Sequence, residues 1–244
     1  MNTLSELNEL TIGELVAKDY RKADVFKKYG IDFCCGGKIS VQQVCQNKGI
    51  DFEKLKSALL AVEQVDNGIE NYDKWELDFL ADYIVNKHHN YVNESLPLLL
   101  EYCQKVARVH GEHNPENIKI LVVLQELAAE LNTHLLKEER ILFPYIKELV
   151  KSKKEQTAPN TPHFGTVKNP INMMEIEHDS AGDLTKQIKT LSNDYTPPAH
   201  ACNTYMVLYA KLEEFENDLH THIHLENNIL FPKAALLEAE LLNN

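Results

Sequence analysis

Apolar residues recur at helical spacing along most of this chain, broken by short polar or proline-bearing stretches. Near the start, Thr11 with Glu14 forms a capping-box pattern ahead of Leu15 and Val16, and the next segment runs from Asp19 to a C-cap at Gly30. Ser40 with Gln43 repeats the capping signature before Val41 and Val44, and Gly49 closes that helix. Asp51 then caps a helix carrying Phe52, Leu55, Leu59 and Val62. These elements predict a small helical N-terminal domain over residues 1–66, with a polar joint at 67–71. Four longer helices follow. The first runs from Tyr72 through Trp75, Phe79 and Ile84, with Pro97 as a place to kink, toward Val109. The second starts near Asn117 and passes through Leu121, Leu124, Leu127 and Leu131 to about Val150. The third begins near Ile171, and the fourth runs from about Ala199 through Leu208, Leu212, Phe215 and Leu219 to near Leu242. The turn at 110–117 joins the first two, and the proline-bearing stretch 151–170 is the crossover between two hairpins. The pattern predicts an all-α chain whose residues 72–244 form a four-helix bundle.

The second and fourth helices carry nearly the same words: HLLKEERILFP from His134 to Pro144 and HIHLENNILFP from His222 to Pro232. Positions four apart share a helix face, so His134 with Glu138 and His222 with Glu226 each aim an imidazole and a carboxylate at one point. A carboxylate can bridge two cations and imidazole suits iron, copper or zinc, so the repeat fits a dinuclear metal site. Each repeat has a histidine at matching distance upstream, His178 before His222 and His89 before His134. Phasing with Leu77, Leu80 and Ile84 favours His88 as the first ligand, whereas the repeat favours its neighbour His89, which we take. A lone histidine on an apolar face is more often a hydrogen-bonded core residue than a ligand. Here the plain reading must also accommodate two glutamates on core stripes, where unpaired carboxylates are rare. His220 and His224 fall on other faces, as supporting or surface groups, and His110, His113 and His163 read as solvated loop residues.

The formal net charge of −12, with acidic residues spread along the chain, argues against nucleic acid or an anionic membrane as partner. No apolar stretch approaches membrane-spanning length, and no signal peptide is evident at the start. The five cysteines are odd in number and include an adjacent pair, unlike a secreted disulfide framework. A cytoplasmic protein with reduced thiols, monomeric or homodimeric, is the expectation.

The adjacent pair, Cys34 and Cys35, lies in IDFCCGGK from Ile31 to Lys38. A turn flanked by Gly36 and Gly37 would expose both thiols, and Lys38 with the helix start near Ser40 would favour a thiolate. That is one reading, a reactive or metal-handling dithiol. The other is a tight turn whose cysteines merely pack, as core filling is expected of Cys45, Cys103 and Cys202.

Taken together, DFCCGGK in a small N-terminal domain and two HxxxE motifs each followed by ILFP resemble the bacterial RIC proteins, di-iron proteins that repair iron centres. The resemblance covers essentially the whole chain, an ScdA-type N-terminal domain followed by a hemerythrin-like domain. It implies two irons, oxo-bridged, held by His89, His134, Glu138, His178, His222 and Glu226, with both glutamates bridging. The family's first ligand lies eight residues before the proline of a Leu-Pro pair, which for Leu96-Pro97 also selects His89. Oxygen-carrying hemerythrins use five histidines, and only four stand out here. The function implied is repair of iron–sulfur clusters damaged by nitrosative or oxidative stress, by iron donation to damaged iron–sulfur proteins. The alternative is a di-iron enzyme or sensor acting on nitric oxide or oxygen.

Overall fold

The computed structural model describes residues 10–63 and 71–243, so of the polar joint only Asn71 falls within it. The capping signals fold as read. Thr11 and Glu14 exchange both bonds of a capping box at the head of α1 (Ile12–Lys18), and the Ser40 hydroxyl accepts from Gln43 at the head of α3 (Val41–Lys48). The two caps lie side by side, joined by Ile12 N–H to the Ile39 carbonyl at 3.0 Å and Val41 N–H to that of Leu10 at 3.3 Å. Between them α2 (Lys22–Lys28) stops at Gly30, whose φ of 63° is the left-handed conformation glycine tolerates best. α4 (Phe52–Glu63) completes the N-terminal unit.

The bundle begins later than the periodicity suggested, because Tyr72–Lys74 forms a separate 3₁₀ turn and α5 spans Leu77–Ile84. It continues as α6 (Asn90–His110), with Pro97 on the exposed side. The return helix is α7 (Glu116–Lys137) followed by α8 (Phe143–Glu155). After the crossover come α9 (Lys168–Leu191), α10 (Asn203–Leu225) and α11 (Phe231–Leu242). Among the described residues there is no named strand, and no helix is long and apolar enough to cross a membrane.

Two apolar cores fill the bundle. One collects Val92, Leu99, Leu124, Leu131, Leu212 and Leu219 and runs without a break into Ile12, Leu15, Phe26 and Leu55 of the N-terminal unit. The other, at the opposite end, gathers Leu80, Ile84, Leu142, Ile146, Met174 and Phe231. On every long helix the changeover between cores falls at the same level: His89 lies between Ile84 and Val92, and His178 between Met174 and Ala181. A polar layer thus crosses the bundle at the height of the repeated motifs.

Candidate metal centre

Three of the four long helices leave α-geometry in this layer, through π-helical turns at Val85–His89, Glu138–Leu142 and Glu226–Leu230. In the repeats, the N–H of Phe143 reaches back five residues to the Glu138 carbonyl, and that of Phe231 to Glu226. The proline that follows explains the turn. Pro144 and Pro232 lack an N–H, and in a regular helix their rings would collide with the carbonyl four residues back, so the preceding turn widens. The ILFP phenylalanines are then delivered inward, Phe143 stacked on His89 at 5.6 Å and Phe231 on His178 at 6.0 Å. The first π turn also sets which of the neighbouring histidines faces the glutamates. One extra residue shifts the phase by about 100°, so His89 takes the face that an uninterrupted helix would give to His88.

The six residues singled out in the sequence converge. His89, Glu138, His222 and Glu226 form one group of four, and His134, Glu138, His178 and Glu226 a second, with donor atoms in each within 4.8 Å of one another. Both groups share both glutamates. His89 and His134 place Nε2 3.3 Å from Glu138 Oε2, while Nε2 of His222 and His178 lie 3.0 and 3.2 Å from the two oxygens of Glu226. Glu138 and Glu226 are fully buried. Both Glu138 oxygens, Glu226 Oε2 and His89 Nε2 have no hydrogen-bond partner, a costly arrangement that cations would relieve. The residues therefore fit a pair of metal ions.

Electrostatics agree. Burial presses Glu226 and Glu138 toward the neutral form, yet the surrounding histidines hold both below the ordinary carboxylate range. Burial likewise opposes charge on His89 and His134, but the facing glutamates push both up to about 10. Without metal, protons sit where cations would, so loading must expel them.

The other ring nitrogen of three of the histidines is held by a residue the sequence reading passed over. Glu139 takes His89 Nδ1 at 2.8 Å, Glu177 takes His134 Nδ1 at 2.9 Å, and Asn227 Oδ1 takes His178 Nδ1 at 2.8 Å. Such partners fix the tautomer and aim Nε2 at the metal. Their one sequence signal is adjacency, since each directly neighbours a candidate ligand. His220 packs edge-on against Phe33, and His163 is an exposed loop residue. His110 is not simply solvated, because its Nε2 meets Cys202 Sγ at 3.2 Å, and Cys202 is exposed at the head of its helix, not core filling as expected, whereas Cys45 and Cys103 are buried.

Two further expectations are corrected. The CCGG stretch does not display its thiols: Cys34 is 4% exposed and Cys35 half-buried, in a 3₁₀ turn over Cys35–Lys38. Hydrogen bonding with Cys35, burial and the nearby Asp32 push the Cys34 thiol up, away from thiolate, and Lys38 pairs instead with Glu175 at 2.8 Å. Gly37 serves close approach, not exposure. A Cβ there, or at Gly13, would collide with the amide of Asn228, which donates to the Phe33 and Cys34 carbonyls. The loop lies against the bundle, with Cys35 Sγ 3.7 Å from the His178 carbonyl and both cysteines lining a cavity of about 570 Å³. The second correction is His224, which is no surface group but fully buried against Tyr20 and Phe33.

Comparison with known proteins agrees with this architecture. Residues 8–63 match ScdA_N, a domain of unknown function, and residues 80–234 match the hemerythrin HHE cation binding domain. The chain is 37% identical to a probable iron-sulfur cluster repair protein of Haemophilus influenzae, over 91% of this chain and 95% of that one. It is equally similar, at 37% over 95% and 98% of the two chains, to the iron-sulfur cluster repair protein YtfE of Musicola paradisiaca. The Yersinia pestis protein of that name is 35% identical over 92% and 96%. With relatives 35–37% identical over nearly its whole length, and with its own ScdA_N and hemerythrin matches in that order, the chain belongs to this family of iron–sulfur cluster repair proteins.

Proposed function

We propose that this protein carries two irons and gives up iron to rebuild iron–sulfur clusters damaged by nitrosative or oxidative stress, with damaged iron–sulfur proteins in the cytoplasm as its partners. The observation that carries the reading is the pair of four-donor groups sharing two buried carboxylates, three of whose four oxygens have no hydrogen-bond partner. His89 and His222 would hold one ion and His134 and His178 the other, with Glu138 and Glu226 shared between the two. A mixed imidazole and carboxylate set suits iron among first-row metals. Two carboxylates balance only part of the charge of two such cations in a dry layer, which favours an oxide bridge between them. Bound there, iron supplies exchangeable coordination positions and a metal that can leave.

The chain's own residues do the rest. The apolar cores above and below exclude water from the layer, and Glu139, Glu177 and Asn227 keep three imidazoles aimed inward. Of the two thiols that line the cavity, Cys35 is the less buried and lies 3.7 Å from the His178 carbonyl, where a departing metal or a partner would meet it. Nitric oxide or oxygen as a ligand of the pair is the second reading, favoured by the small number of protein donors per ion. Protein purified without oxygen is expected to hold two irons per chain and to lose iron in proportion to cluster formed on an apo-acceptor. Repeated turnover of nitric oxide with iron retained would favour the second reading instead.

A further inference from the structure

The two metal positions are built by the same repeat and yet are not held alike. At the position of His134 and His178, both imidazoles are fixed from behind, by Glu177 and by Asn227. Glu177 is itself anchored by an ion pair with Lys137. At the other position only His89 is fixed, by Glu139. His222 is 1% exposed, and its Nδ1 has no partner among the described residues.

The cause lies in the residue before each first-helix histidine. Glu177 precedes His178 and reaches across to His134. His88 precedes His89 at the corresponding place, and it does not do the same for His222. It stacks on that ring instead, 5.7 Å away and 11° from parallel, with its own Nδ1 turned to Asp218 at 3.0 Å. A stacked ring limits where the imidazole lies but accepts no proton from Nδ1, so it selects no tautomer. His88 also walls a surface cavity of about 420 Å³ beneath Tyr72, Tyr83 and Tyr91, so solvent comes within one ring of His222.

We infer that the two irons are inequivalent, that the one held by His89 and His222 is given up first, and that Glu177 and His88 are the positioning residues that set the difference. The inference rests on the di-iron reading above and deepens it by naming which metal leaves. Loss of such a partner typically costs a ligand set about 10- to 100-fold in affinity, and release to a chelator should differ by a similar factor.

The test loads full-length protein with ferrous iron in the absence of oxygen and follows its extraction by an excess of a ferrous chelator. Two phases of equal amplitude are expected, about 10-fold or more apart. After the fast phase, anomalous diffraction should show lost occupancy between His89 and His222. Glu177→Ala, which removes the acceptor behind His134, should accelerate the slow phase, and His88→Glu or His88→Gln, by offering His222 an acceptor, should slow the fast one. Either change brings the phases together from opposite directions, which general loosening of the fold would not do. A single phase in the parent, or first loss from the His134 and His178 position beside Cys35, overturns the inference. Two phases as described with no iron reaching a cluster acceptor would leave the inequivalence standing and remove the donation.

Discussion

The two copies of the repeat present the same ligands inward and opposite faces outward. Two residues after its histidine the first copy has Leu136, which is 46% exposed, and the second has His224, which is fully buried. Two residues after its glutamate the first copy has exposed Arg140, and the second has Asn228, whose amide is tucked under Gly13 and Gly37. The hydropathy order is reversed: a leucine faces water and a histidine is buried. What differs is cover, because among the described residues the N-terminal unit sits on the second copy and not on the exposed face of the first. One repeated motif can thus present the same histidine and glutamate inward while only one copy receives a domain on its outer face.

The harshest test of the shared half of this comparison is removal of a bridge. Glu138→Leu or Glu226→Leu should each empty both positions, with affinity falling at least about 100-fold, whereas His163→Leu should keep two irons by metal analysis. Equal loss from the two glutamate variants would show the copies to be equivalent inward.

The outward difference is exposed by acid. Burial holds the His224 imidazole down at about 4, so the folded state keeps it neutral while the unfolded chain binds a proton near 6.5. Its contribution is fully present above 6.5 and is lost as the pH falls toward 4, up to about 3 kcal/mol. In denaturant titrations of metal-free protein, His224→Phe should flatten this part of the pH profile, and Leu136→Ala should leave its shape unchanged. A profile unaltered by His224→Phe would mean that the ring is not buried neutral.

Smaller effects separate the next pair. Asn228→Ala leaves the Phe33 and Cys34 carbonyls without that donor and should cost about 1–3 kcal/mol, with faster proteolysis at the CCGG loop. Arg140→Ala in the uncovered copy should stay within about 0.5 kcal/mol. If the two variants proved equally stable, Asn228 would not be what seats the N-terminal unit.

The sequence displayed the inward half of this molecule well, since core packing alone does not call for a histidine and a glutamate four apart, given twice on apolar stripes. Helical phase failed locally at His88 and His89, because a π turn adds a residue that periodicity does not count; Pro144 and Pro232 were the available hints for the other two such turns. The exposed readings of Cys34 and His224 failed for one shared reason. Their burial comes from contact between the N-terminal unit and the bundle, and no local pattern encodes which exposed-looking face another part of the chain will cover. Glu139, Glu177 and Asn227 were hidden in the same way, on faces that look like ordinary solvated helix surface.

The polar layer between the two apolar cores also bears on how the bundle comes apart. Each core is a contiguous block, and at their junction the metal-free protein is held chiefly by carboxylates and imidazoles, whose mutual attraction is spent against the cost of drying them. The layer is a seam across which unfolding need not propagate, and ions bound there would act as rivets. Hydrogen exchange is expected to find a single opening unit in loaded protein. In metal-free protein it should find two, with the block containing Leu142, Ile146 and Phe231 opening apart from the one built on Leu124 and Leu212.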